Sequence, residues 1–325
     1  MLAAWYERPG SAADVLQLGE MPNPEPGPGE VRVRVELSGV NPGDTKKRAD
    51  WLAYGMPFPR IVPHSDGSGV IDAVGENVDP RGIGQRAWVY GAQSYRPFGT
   101  AAESTVVPAE QALELPDEVN DATGACLGIP GITAHRAVFG DGPVAGTTIL
   151  VQGVLGAVGS LAAQLAHWGG TTVIGTVVRS SDLDQVGSAV AHAVALDEAQ
   201  PTEAIRAHAP EGVHRIIEVA FSDNADLDAA VAASDGVIAA YATRRGRPDF
   251  PFWSMLFANL TIRLLGSDDF PQAAKRQAAV DLTTAAREGS LSIPIGEPLP
   301  LRYIAEAHDR VDARARERVL LSIRS

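Results

Sequence analysis

One stretch restricts the fold more than any other: Ile149-Leu150-Val151-Gln152-Gly153-Val154-Leu155-Gly156-Ala157-Val158-Gly159. A short apolar run ends at a glycine. Two more glycines follow, and the spacing predicts a helix over 157–168 closed by Gly169-Gly170. A strand that turns through glycines into a helix is the opening of a parallel βαβ unit. One glycine permits the tight turn, another lets the backbone approach a pyrophosphate, and a third lets helix and strand pack closely. The first two glycines here have Val154-Leu155 between them, where the usual fingerprint has a single residue. The helix start at Gly156, Ala157, Val158 and Gly159 offers unpaired N–H groups and the positive end of the helix dipole to phosphate oxygens. A tight packing turn without a ligand is the other reading of these glycines.

Apolar segments alternate with helical ones after this loop. Strands are predicted at 171–178, 193–196, 214–220, 236–242 and 261–265, with helix at 203–209 and between 220 and 236. Near-continuous apolar strands separated by helices imply a parallel sheet covered on both faces. The first third of the chain reads differently. Val31 to Leu37 alternates apolar and polar residues, and further strands are predicted over 67–78 and 86–90 between glycine turns, the pattern of a small β-barrel-like domain. Residues 121–139 are helical in places, broken by Gly128 and Pro130. After a helix at 272–288, the segments 293–295 and 318–323 again read as barrel-type strands. The expectation is a nucleotide-binding domain, 120–266, inserted into a discontinuous β domain, 1–119 plus 267–325.

Composition narrows the function classes. The 325 residues carry 27 Lys and Arg against 40 Asp and Glu, a formal net charge of −13. Such a surface disfavours a main role in gripping nucleic acid or an anionic membrane. The single Cys, Cys126, excludes an internal disulfide and a multi-Cys zinc cluster, and its Ala-rich surroundings predict a buried, inert thiol. No signal-like leader or apolar run of membrane-spanning length is present, so the expected location is the cytoplasm.

Cofactor preference turns on the end of the second parallel strand. An Asp or Glu about 20 residues beyond the glycine loop would accept the ribose hydroxyls of NAD. Arg179 stands 20 residues after Gly159, followed by Ser180 and Ser181. A guanidinium repels no 2′-phosphate and can pair with one, so the reading is NADPH. An ordinary solvated loop charge would also account for Arg179. Tyr241 stands at the C-terminal end of one later strand and Ser267 follows another, where parallel sheets place ligands. Core packing would equally explain Tyr241, and a helix cap before Gln272 would explain Ser267.

Four stretches together carry a family likeness: Gly39-Val40-Asn41-Pro42-Gly43-Asp44; Val62-Pro63-His64-Ser65-Asp66-Gly67-Ser68-Gly69-Val70 with Val74-Gly75-Glu76-Asn77-Val78; Gly128-Ile129-Pro130-Gly131-Ile132-Thr133-Ala134; and the Gly153–Gly159 loop. In these the chain resembles the zinc-free quinone oxidoreductase (zeta-crystallin-like) branch of the medium-chain dehydrogenase/reductase superfamily. The resemblance implies an α/β Rossmann domain, a doubly wound parallel sheet, inserted in a GroES-like β-barrel domain. It implies NADPH-dependent reduction of quinones or α,β-unsaturated carbonyls, and a homodimer. Zinc-dependent members place Cys where Asn41 stands and His where Ser65 stands, and their third ligand falls near Ile129, so no metal site is expected. His64 lies where glycine is usual and is expected to be a loop or surface histidine.

The likeness also implies that Asn41 and Thr133 lie by the nicotinamide. An Asx turn before Pro42 or simple helix packing would account for each as well. Asp44 is expected to brace its loop. Lys46 replaces a Tyr common in related quinone reductases, Trp51 lies one position from a second aromatic, and Leu155 replaces a Ser. The apolar run Phe250, Phe252, Trp253, Met255 and Phe257 is expected to line a substrate site or a subunit interface. An enoyl or alkenal reductase, or a non-catalytic NADPH-binding sensor or structural protein, are the alternative functions.

Overall fold

The computed structural model describes residues 1–324. The chain separates into two compact units, Met1–Pro130 with Ile293–Ser325, and Gly131–Ser292.

The first unit contains strands β1 (Leu2–Trp5), β2 (Gln17–Glu20), β3 (Glu30–Gly39), β4 (Asp66–Val74), β5 (Arg86–Val89), β6 (Ser104–Pro108) and β7 (Ala112–Glu114), with helices α1 (Ala12–Val15), α2 (Pro42–Arg48) and α3 (Asp121–Gly124). Helix α4 spans Ile129–Phe139, across the junction. The second unit contains strands β8 (Thr148–Val151), β9 (Thr172–Val177), β10 (His192–Ala195), β11 (Val213–Glu218), β12 (Ala232–Ala240) and β13 (Thr261–Leu264). Its helices are α5 (Ala157–Trp168), α6 (Pro201–His208), α7 (Phe221–Val231), α8 (Phe252–Phe257) and α9 (Gln272–Arg287). Strands β14 (Leu299–Pro300) and β15 (Leu320–Ser322) and helix α10 (Ile304–Asp312) return to the first unit.

In the first unit, β1 and β2 form a small antiparallel pair, and seven strands form a sheet in the order β14-β15-β3-β4-β5-β7 with β6 paired to β3. Alternation in Val31, Val33 and Val35 explains the role of β3: these side chains are buried while the intervening Arg32 and Arg34 are not. Val31 and Val33 pack with Ile71, Ala87, Val89 and Val107 in the unit's core. The last described strand, β15, pairs antiparallel with the end of β3, Leu320 against Gly39.

In the second unit, six parallel strands run in the order β10-β9-β8-β11-β12-β13. Counted from β8, this is the doubly wound 3-2-1-4-5-6 arrangement, which reverses direction between β8 and β11. Ile174, Leu150, Ile216 and Ile238 stand directly opposite one another across neighbouring strands and share one apolar cluster with Ile205, Phe221, Val231 and Met255. Each such buried side chain stabilises by about 1.5–3 kcal/mol relative to exposure. That core fixes the strand ends from which the connecting loops project.

The unit junctions fall later than the expected 119/120 and 266/267. Helix α3 rests on β4 and β5, and Cys126 packs with Leu320, so this segment belongs to the barrel side. Helix α9 belongs with the parallel sheet: Asp281 bonds His135 at 2.8 Å, and Glu288 accepts from Trp168 Nε1 at 3.0 Å. The expected strand at 293–295 is only a single bridge, Ile295 to Arg318.

Candidate functional site

The glycine loop has the geometry its sequence predicts. Gly153 follows β8 with φ +69°, a left-handed conformation that any side chain would strain. A Cβ at Gly159 would stand 2.3 Å from the Gly153 carbonyl oxygen, so the first turn of α5 can pack on the loop only without a side chain there. Gly156 is the N-cap of α5, no side chain caps the helix, and no acidic residue lies in its first turn. The N–H groups at Ala157, Val158 and Gly159 therefore have no side-chain competitor for a phosphate. This is the fit required of a dinucleotide pyrophosphate: a close backbone cradle over a helix N-terminus.

Arg179 is exposed at the end of β9 and begins a short 3₁₀ turn over Ser180–Gln185. Ser180 donates its backbone N–H to Asp197 Oδ1 at 2.8 Å. That carboxylate follows β10 and was not foreseen from the sequence. Tyr241 is half-buried after β12, with its N–H on the Glu218 carbonyl at 3.0 Å, and burial pushes its phenol upward. Ser267 opens a 3₁₀ turn after β13 and does not cap α9, whose N-cap is Pro271.

Asn41 and Thr133 belong to different units. Thr133 is buried within α4. Asn41 is the buried N-cap of α2, and Asp44 accepts its backbone N–H at 2.8 Å, the bracing role expected of that carboxylate. The Asn41 side chain does more than turn the loop. Its amide donates to Asp66 Oδ2 at 2.7 Å, and its carbonyl accepts from Arg318 Nη2 at 2.9 Å. Asp66 also accepts the Ile129 N–H at 2.8 Å, and burial lifts its carboxyl to about 7 despite these donors.

His64 is a loop residue before β4, as expected, but it is fully buried and not at the surface, and it holds φ +75°. Its ring bonds Ser38 Oγ through Nδ1 at 2.8 Å and His308 Nε2 through Nε2 at 2.9 Å. The positive φ explains why glycine suits that position, and the two ring bonds explain how histidine is held there. Burial drives both imidazoles toward the neutral form, with His308 brought down to about 3. Cys126 is buried, as its surroundings predict, and burial raises its thiol. Lys46 lies over the Trp51 ring, 5.1 Å from its centroid, so the two departures from the family pattern contact each other.

Sequence reasoning missed the polar partners behind these sites. Asp66 lies within a quoted motif and Arg318 opens the strand segment 318–323, yet nothing local marks them as partners of Asn41. Gln152, buried just before Gly153, carries no local signal either, because it stands at the end of an apolar run.

The comparisons with known proteins agree with this architecture. Residues 27–117 match the alcohol dehydrogenase GroES-like domain, and residues 157–279 match the family described as zinc-binding dehydrogenase. A quinone oxidoreductase of Homo sapiens is 30% identical over 291 residues, covering 86% of this chain and 84% of the relative. That of Mus musculus is 30% identical over 288 residues, covering 86% and 85%. A mycobacterial quinone oxidoreductase structure superposes with a TM-score of 0.86 at 25% identity, covering 99% of this chain and all (100%) of that one. A mycobacterial structure complexed with NADPH gives 0.84 at 25% identity, with the same coverage. A GroES-like domain interrupted by an NAD(P)-binding parallel sheet defines an oxidoreductase fold. The chain belongs to the medium-chain dehydrogenase/reductase superfamily, in its quinone oxidoreductase branch.

Proposed function

We propose that this protein is an NADPH-dependent, zinc-independent reductase that transfers hydride to a quinone or another α,β-unsaturated carbonyl. The observation that carries the cofactor half is Arg179, exposed after β9 where an NAD site would hold a carboxylate. NADPH, when bound, supplies the hydride. The chain's own part is to seat the pyrophosphate on the Gly153–Gly159 loop and α5, to pair Arg179 and Ser180 with the 2′-phosphate, and to position the nicotinamide half beside Tyr241 and Ser267. Orientation contributes much of the rate in such transfers. Asn41 and Thr133 are assigned to orienting the reacting groups.

The donor set supports zinc independence. A zinc site needs about three or four N, O or S ligands. The Asn41 amide is engaged by Asp66 and Arg318, and both ring nitrogens of His64 are engaged by Ser38 and His308. Among the described residues no group of three or more His, Cys, Asp or Glu could hold a metal ion.

The substrate class rests on the relatives named quinone oxidoreductase, which share 30% identity with this chain. One observation favours a second cofactor reading. Asp197 stands beside Ser180, 2.8 Å from its N–H, and could accept a ribose hydroxyl of NADH. The deciding experiment follows oxidation of NADPH and NADH with quinones, enones and enoyl thioesters. Preferred NADPH turnover with a quinone supports the proposal. Turnover confined to enoyl thioesters would move it to the enoyl reductase alternative, and binding without turnover to a non-catalytic sensor.

We also assign the protein to the cytoplasm and to a homodimer. Among the described residues no helix is long and apolar enough to cross a membrane. On α8 and β13, Trp253, Phe257 and Leu264 are exposed at 66%, 77% and 76%, beside the unpaired edge of the parallel sheet. An apolar patch at an open sheet edge is a surface that a second copy would cover.

A further inference from the structure

A continuous hydrogen-bond chain runs from the glycine loop into the interior of the second unit. Gly153 donates its N–H to Thr176 Oγ1 at 3.1 Å. That hydroxyl, having accepted, gives its own hydrogen to Gln152 Oε1 at 2.6 Å. The amide nitrogen of Gln152 must then face the other way, and it donates to Asp228 Oδ1 at 2.9 Å. Thr176, Gln152 and Asp228 are all fully buried. The direction of the Gly153 N–H therefore fixes the polarity of the chain as far as Asp228.

The chain ends at two carboxyls. Asp228, on α7, meets the carboxyl of Glu218 at the end of β11, which is fully buried as well. Asp228 Oδ2 is buried, and no N–H or O–H of the described residues donates to it. Glu218 is better provided: the Ala220 N–H points to its Oε1, and the Asn224 amide lies 3.2 and 3.1 Å from its two oxygens. Two buried carboxylates in contact cannot both be ionised, and the member with more donors is the one that keeps the charge.

We propose that Glu218 and Asp228 share one proton, carried on Asp228 Oδ2 and donated to Glu218, and that this bond, through Gln152 and Thr176, positions the Gly153 loop for the dinucleotide. The two carboxyls are positioning residues. They sit beside the point between β8 and β11 where the strand order reverses, the place where such sheets bind ligands. Burial raises both carboxyls; the charge of Glu218 raises Asp228 further, while the hydrogen bond from Asp228 holds Glu218 down. Titratable groups face the pair from two sides: each member faces the other across α7 and β11, and the Tyr241 phenol, after β12, faces Glu218. The loop-holding part rests on the reading of the Gly153 loop as the cofactor site. The shared proton does not.

The test uses the full chain and two readouts, NADPH and NADH binding by fluorescence and thermal unfolding without nucleotide across pH 5–8. Asp228→Asn places an amide N–H where the proton is and keeps the oxygen that accepts from Gln152. It should restore what Asp228→Ala loses. Asp228→Ala should weaken NADPH binding about tenfold, and Asp228→Asn should stay within about twofold of the parent. A carboxyl held protonated loses stability as pH rises above its ordinary value, so the melting temperature of the parent should fall relative to that of Asp228→Asn from pH 5 to pH 8. Where Asp228→Ala does not fold, Thr176→Val breaks the chain without touching the pair. It should cost a similar factor in binding and leave the pH trend of the parent in place.

A pH-independent difference between the parent and Asp228→Asn would overturn the shared proton. Unchanged binding in Thr176→Val and Asp228→Ala would overturn the positioning role. If the parent binds neither nucleotide, the cofactor reading fails and the positioning role with it, while the thermal series still decides the proton.

Discussion

His64 and His308 meet through their Nε2 atoms at 2.9 Å with rings stacked, so one imidazole must hold a proton there that the other lacks. Both rings are buried and both are driven toward the neutral form. The Arg48 guanidinium adds to the effect at His308, and Asp312 pairs with that guanidinium at 3.2 Å. A histidine whose folded value lies below its unfolded one stabilises the protein above the unfolded value and loses that contribution as pH falls. Stability should therefore drop from pH 6.5 toward about 3, by up to about 1.4 kcal/mol per pH unit for each proton taken up. His308→Gln should flatten the acid limb of melting temperature against pH. Equal acid slopes in parent and variant would count against this account.

Arg179→Glu should reverse the cofactor preference. Loss of charge-assisted bonds to a 2′-phosphate costs about 10–100-fold in NADPH binding, while NADH should be held as well or better. Dissociation constants for both nucleotides check this, and an unchanged ratio would remove Arg179 from the site.

Gly159→Ala should damage the loop directly. Its Cβ would meet the Gly153 carbonyl at 2.3 Å, a clash with backbone that must be relieved by moving the loop or α5. A destabilisation of about 1–3 kcal/mol is expected, with a larger loss in nucleotide affinity than in folding. Chemical denaturation and nucleotide titration separate the two.

Asn41→Ala should destabilise the first unit by about 1–3 kcal/mol, because it strips buried Asp66 and Arg318 of a shared partner. Activity of the intact enzyme should be insensitive to chelators and to added zinc. Inactivation by a chelator, reversed by zinc, would defeat the zinc-independent reading.

Phe257→Asp with Trp253→Asp should convert a dimer to a monomer, read by light scattering after size-exclusion chromatography. A monomeric parent would dispose of the proposed dimer.

Much of the second unit was legible because its signals are local. Ile149 to Val151 is a fully buried strand and reads as an apolar run; Ala157 to Trp168 has its glycines at both ends, and the helix occupies those residues. The polar connections were not legible, because nothing local encodes them. His64 and His308 are separated by 244 residues and Asn41 and Arg318 by 277. Gln152 reaches Asp228 across 76. The unit junctions differ from the expected ones for a related reason: neither the short turn α3 nor the long helix α9 carries a local mark of its side, and only their packing partners say where each belongs.

The pairing of β15 with β3 has a consequence for how the protein is made. The parallel sheet is built from one uninterrupted stretch, Gly131–Ser292, and can close while the remainder of the chain is still being synthesised. The barrel side cannot. Its strand β3 waits with an open edge, and Asn41 without Arg318, until residues 318–322 leave the ribosome. The nucleotide-binding unit is therefore the nascent chain's first finished part, and the barrel that begins first is completed last.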